Sequence, residues 1–180
     1  MSDEIRSLGD RSLIAHQFTQ MQREREWAAK APNSPAVATN RVEAGSVSLT
    51  IPGPPRTKKT SNTIWKVGTR KVVKPSQAWI EWRDAVWVWW KSQSALLGVQ
   101  VLNALGGHDM NCRALFYRDA RRGDATGYYQ GLADALEDVG IIDNDKHITQ
   151  WDGSRLLVDR ANPRVEVILT PITPQPTGAT

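Results

Sequence analysis

Polar and apolar residues alternate from Ser46 to Ile51, with Val47, Leu49 and Ile51 on one side and Ser46, Ser48 and Thr50 on the other. A period of two is the pattern of a strand with one buried face. Pro52 cannot donate to a ladder, so it ends the strand and starts the loop PGPPRTKKTSN. Thr63 to Val73 then reads as a hairpin, TIWKV and RKVV, with Gly68 in its turn. Pro75 and Ser76 open a helix from about Gln77 to Gln93. Trp79, Trp82, Val86, Trp89 and Trp90 recur there at three- and four-residue spacing, the stripe of a helix packed on a core. Arg113 to Tyr117 is a short strand. A helix capped by Asp124 or Thr126 runs to about Val139, with Leu132, Ala135, Leu136 and Val139 inward, and Gly140 ends it. Lys146 to Trp151 and Arg164 to Leu169 complete the pattern as strands. The order of strand, hairpin, helix, strand, helix, strand and strand predicts an α+β fold: a two-layer domain, a mixed sheet with helices packed on one face.

The flanks lack this regularity. Residues 1–44 read as an appendage, with a polar helix from Ile14 to Ala29 and a linker from Ala31 to Gly45. The folded domain is expected over residues 45–171, and residues 172–180, rich in proline, as a frayed tail. The longest apolar run, Ala85 to Trp90, is far too short to span a bilayer, so no membrane partner is expected. The N-terminus shows no basic stretch followed by an apolar one, and Cys112 is the single cysteine, which excludes an internal disulfide and a cysteine-built zinc site. Both point to the cytoplasm.

Charge adds an anionic partner to the picture. The formal net charge is +4, but its distribution says more. Arg56, Lys58, Lys59, Lys66, Arg70, Lys71 and Lys74 fall between Pro52 and Pro75 with no acid among them. Arg118, Arg121 and Arg122 form a second cluster just before Asp124. Such clusters suit phosphates, and they equally suit a solvated basic loop. The acids gather in one stretch, RRGDATGYYQGLADALEDVGIIDNDKHI, with Asp124 at a strand-to-helix junction and Asp143 and Asp145 one helix later. A strand–helix–strand return is expected to bring the two ends together, where a divalent cation would relieve the repulsion between carboxylates. By spacing alone these acids are equally a helix cap and turn formers.

The wording of the segment resembles the RusA family of Holliday-junction resolvases. Its basic run, an aspartate, a helix carrying Asp-Ala-Leu, a glycine-apolar turn and an acidic turn appear here as Arg121-Arg122, Asp124, Asp134-Ala135-Leu136, Gly140-Ile141-Ile142 and Asp143-Asn144-Asp145. Ile51 to Pro55 resembles the family's first strand and proline loop, Trp82 to Val86 its first helix, and Asn162 to Val167 its last strand, so the resemblance covers about residues 46–170. It implies a homodimeric, Mg²⁺-dependent endonuclease (Mn²⁺ as a substitute) that binds four-way DNA junctions and nicks opposed strands, encoded by a bacterium or a phage. Carried over by position, Asp124 and Asp145 are the catalytic metal ligands, Asp143 could share the site, and Asp134 is a third candidate ligand or a structural helix residue. Arg56, Lys58, Lys59, Lys66, Arg70, Lys71, Lys74, Arg121 and Arg122 are the expected DNA-binding residues. Two positions depart from the family: Thr126 stands where a second acid is usual, and Gln130 where a lysine is usual. Gln130 can hydrogen-bond a phosphate oxygen but cannot neutralise it. The alternative reading is therefore a branched-DNA-binding protein of the same fold with weak or lost catalysis. Trp87 lies off the core stripe and is expected at a dimer interface. His147, two residues after Asp145 on an expected strand, would share its face and could act as a base; His16 and His108 read as surface residues.

Overall fold

The period-two segments become a six-stranded mixed sheet. A computed structural model of the chain describes residues 40–43, 45–58, 63–67 and 70–172, with the segments 63–67 and 70–74 described by backbone alone. The expected helix from Ile14 to Ala29, His16, Lys59, Gly68, the tail from residue 173, and the side chains of Lys66, Arg70, Lys71 and Lys74 lie outside the described residues. The strands are β1 (Arg41–Glu43), β2 (Ser46–Pro52), β3 (Thr63–Val67), β4 (Arg70–Lys74), β5 (Met110–Arg118), β6 (Ile148–Gln150), β7 (Arg155–Val158) and β8 (Arg164–Pro171). The helices are α1 (Gln77–Leu105) and α2 (Ala125–Asp138), and a 3₁₀ turn spans Asp145–His147. The sheet order is β1-β2-β8-β5, with β6 and β7 both pairing with β5 on its far side. Those two pairings are parallel and the rest antiparallel. β3 and β4 form a separate hairpin.

Register explains why one face of this sheet is dry. Val47 pairs with Leu169 and Leu169 with Cys112; Leu49, Val167 and Ala114 form the next row, and Ile51, Val165 and Phe116 the third. All nine are buried. Trp79, Trp82, Val86, Trp89 and Trp90 of α1, and Tyr128, Leu132, Ala135 and Leu136 of α2, complete the core. Burying each large side chain contributes about 1.5–3 kcal/mol. The opposite face carries Ser48, Ile168 and Arg113, then Thr50, Glu166 and Leu115, none of them buried. The two-layer α+β arrangement expected from the sequence is what forms.

Several boundaries differ from expectation. The sheet starts at Arg41 rather than after residue 45, because Arg41 to Glu43 pairs antiparallel with Ser46 to Ser48 around Gly45, whose φ is 79°. α1 continues to Leu105, twelve residues beyond Gln93, since Val101 and Leu105 reach the core and Gly106 ends it. The segment expected as a strand from Lys146 starts as a 3₁₀ turn capped by the Asn144 side chain, and only Ile148 to Gln150 is extended. Residues 145 and 147 therefore do not share the face of a strand. β7 is an addition to the expected strands. Between β6 and β7 the ladder of β5 is interrupted, and the Ser154 hydroxyl fills the gap. It accepts from Ala114 N at 2.9 Å and donates to Cys112 O at 3.0 Å.

Candidate functional site

The carboxyl end of β5 is where charge collects. β5 runs out at Arg118, and a short turn later Asp124 caps α2. The Asp124 carboxylate accepts from Gly127 N at 2.6 Å, which satisfies a donor that the first helical turn leaves free. Gly123, at φ 74°, lets the chain turn into the helix, and the Tyr128 hydroxyl ties the turn down by donating to Arg122 O at 2.9 Å.

Arginines surround this turn. Arg118 ends the buried face of β5 and is 8% exposed. It donates to Leu157 O and Arg122 O and lies over the Tyr128 ring. Arg121 and Arg122 are exposed. Arg118, Arg121 and Gly123 line an open cleft of about 540 Å³ with Leu156, Leu157 and Val158 of β7. Arg56 arrives from the proline loop and makes a two-pronged contact with Asp119, at 3.1 and 2.9 Å. The hydrogen bond from the Arg56 guanidinium holds the Asp119 carboxyl below the usual carboxylate range. Asp119 belongs to no motif, and no local pattern in the chain singles it out.

Two glycines of α2 let the proline loop lie against the helix. A Cβ on Gly131 would stand 2.7 Å from Arg56 O, and one on Gly127 would stand 3.2 Å from the Thr57 methyl. Trp79 Nε1 donates to Gly131 O at 3.2 Å and fixes α1 to the same spot. Lys58 Nζ lies 2.7 Å from Asp134 Oδ2, a charge contact out of line for a hydrogen bond, and 5.2 Å from the Trp79 ring centre. Of the two readings of Asp134, the geometry favours the structural one: it anchors a loop lysine. Arg56 and Lys58 of the expected DNA-binding set thus each have an intramolecular acid. Arg121, by contrast, forms no ion pair among the described residues, and Arg122 approaches Asp119 only at 3.9 Å.

The acids do not converge. α2 is 14 residues long, which at 1.5 Å per residue places its ends about 20 Å apart. Asp124 sits at its start, beside the end of β5, while Asp145 precedes β6, whose Ile148 pairs with Met110 at the beginning of β5. A parallel return reverses along the sheet, so it separates the two ends that were expected to meet. Asp143 lies at the far end too, accepting from Gly107 N at 3.2 Å. His147 Nδ1 is 3.5 Å from Asp109 Oδ1 there. Among the described residues no three His, Cys, Asp or Glu side chains are close enough to hold a metal together. Thr126 and Gln130 are exposed one turn apart on α2. Among the described residues no helix is long and apolar enough to cross a membrane. No family model and no curated protein matches the chain.

Proposed function

We propose that this chain is a RusA-type, Mg²⁺-dependent endonuclease that acts on branched DNA as a homodimer. The observation that carries the reading is the arginine-rich turn around Asp124: Arg118, Arg121 and Arg122, with Arg56 one ion pair away, frame a carboxylate at a helix start and an open cleft. Cations grouped about an exposed acid suit a phosphodiester better than a neutral substrate. The motif resemblance over residues 46–170 supplies the reaction class.

One chain alone does not fit the cation. Asp124 lies about a helix length from Asp143 and Asp145, and Asp134 is taken by Lys58. Under this reading, carboxylates from both ends of α2 meet only between two copies running in opposite directions. The test is cleavage of a labelled synthetic four-way junction, with and without Mg²⁺, beside a linear duplex and Asp145→Asn. Metal-dependent paired nicks on the junction alone, lost in Asp145→Asn, are the expected result. Mixed Asp124→Asn and Asp145→Asn chains should regain nicking of one strand, because one of the two composite sites is then intact. Junction binding with no nicks in any metal would instead favour the second reading, a branched-DNA-binding protein, to which the uncharged Thr126 and Gln130 point.

A further inference from the structure

Arg118 is a buried cation without a counter-charge. It is 8% exposed, yet the acids at this end of the sheet are engaged elsewhere: Asp119 by Arg56, Asp159 by Arg164 and Asp124 by Gly127 N. Among the described residues Arg118 forms no ion pair, and its hydrogen bonds to Leu157 O and Arg122 O use only part of the donor fork. Buried charges are ordinarily paired. Arg118 lines the open cleft, with exposed Arg121 beside it, so an anion can reach it from solvent. The rest of the cleft is not built for phosphate. Leu156 is half-buried there and Val158 is 42% exposed. Leu156 pairs with Phe116, and both lie on the helix side of the sheet. The Tyr129 ring stands 5.8 Å from that of Phe116 and stacks on Trp151 at 4.6 Å with 6° between the planes. Both members of the stack are half-buried. Phe116 and Arg118 are two residues apart on one strand face, about 7 Å, so adjacent nucleotides of one strand could meet the aromatic pair and the buried cation together.

We infer that this cleft seats an unpaired nucleotide, its phosphate on Arg118 and Arg121 and its base on Leu156 and Val158 against the Tyr129–Trp151 stack. The inference rests on the DNA-binding part of the proposed function and names what in branched DNA the site would select. A paired base keeps its faces inside the duplex, and only phosphates, sugars and groove edges reach a protein. A duplex backbone or a free phosphate would therefore use the arginines and leave the apolar floor and the stack idle. A base that has left the duplex uses both, because every base has a face that stacks on an aromatic ring. Leaving the stack is easiest where pairing is already broken, as at a branch point. Thr126 is exposed one turn before Tyr129 on the same flank of α2. A hydroxyl there faces the base and its phosphate without repelling either.

The test is binding of the full chain, in EDTA, to a duplex with one central unpaired thymine and to the same duplex fully paired. Wild type should hold the bulged duplex more tightly. Trp151→Ala should weaken binding to the bulged duplex about tenfold and leave the paired one unchanged, while Trp151→Phe, which keeps a ring, should retain most of the preference. With 5-iodouracil at the unpaired position, irradiation should attach the DNA to Trp151 or Tyr129, a readout that still decides the matter if Trp151→Ala does not fold. Equal wild-type affinity for the two duplexes, equal losses on both in Trp151→Ala, or attachment at residues away from the cleft would overturn the subsite. So would a lowered urea midpoint in Trp151→Ala with the bulge preference intact, which would make the stack packing alone. None of these readouts needs cleavage, so the subsite can stand where junction nicking fails and fall where nicking succeeds.

Discussion

Asp124 has two jobs under the proposed function, and asparagine separates them. As a cap, asparagine serves a helix about as well as aspartate, whereas alanine costs about 1 kcal/mol. Asp124→Asn should therefore keep its denaturant midpoint and lose cleavage, while Asp124→Ala should lose both. A variant Asp124→Asn that cleaves normally would reduce Asp124 to a cap. Asp119 makes a different prediction. Its carboxyl is held low by the hydrogen bond from Arg56. Folded-state pKa below the unfolded one means stability that is present above the ordinary carboxylate pKa of about 3.9 and is lost as pH falls through the folded value. Carbon-detected titration of Asp119 should give a midpoint below the ordinary value, and Arg56→Gln should move it upward. Burial pushes the Cys112 thiol far up, so it should resist thiol reagents at a pH of about 8 until the chain is unfolded.

At the scale of elements, α2 is a support for the proline loop as much as a wall of the core. Gly131→Ala would improve helix propensity by about 1 kcal/mol. It also drives a methyl against Arg56 O, where backbone cannot yield cheaply. The net expectation is destabilisation of about 1–3 kcal/mol, read from the shift in a urea midpoint. Legibility also divides by element. β2, β5 and β8 are readable because alternation survives burial of one face, and α1 begins where the tryptophan stripe begins. Its second half is not readable, because Ser92 to Leu105 shows no contrast between an apolar and a charged side. β7 escapes a sequence reading because Arg155 to Val158 is four residues without alternation and pairs with a strand about 40 residues earlier. The acids of the site are legible as residues, but their separation is not. Spacing along the chain says nothing about direction, and a parallel return fixes direction. The partners Arg56–Asp119 and Lys58–Asp134 are more than 60 residues apart in sequence, beyond any local pattern.

For the whole molecule, affinity for DNA should depend on salt in proportion to the phosphates neutralised. Arg121 and Arg122 are the exposed arginines at the cleft. Replacing both by glutamine should lower the slope of log K against log salt by about two, roughly one for each phosphate no longer neutralised. An unchanged slope would move the DNA surface elsewhere. Sheet order has a further consequence. β8, Arg164–Pro171, lies between β2 and β5. During synthesis, β2 and β5 leave the ribosome without the strand that joins them. Until about residue 171 clears the exit tunnel, the tryptophans of α1 have no finished sheet to cover them. The nascent chain must therefore wait for β8 before this sheet can close, and a product stopped just before Arg164 should be captured by chaperones or aggregate rather than fold in part.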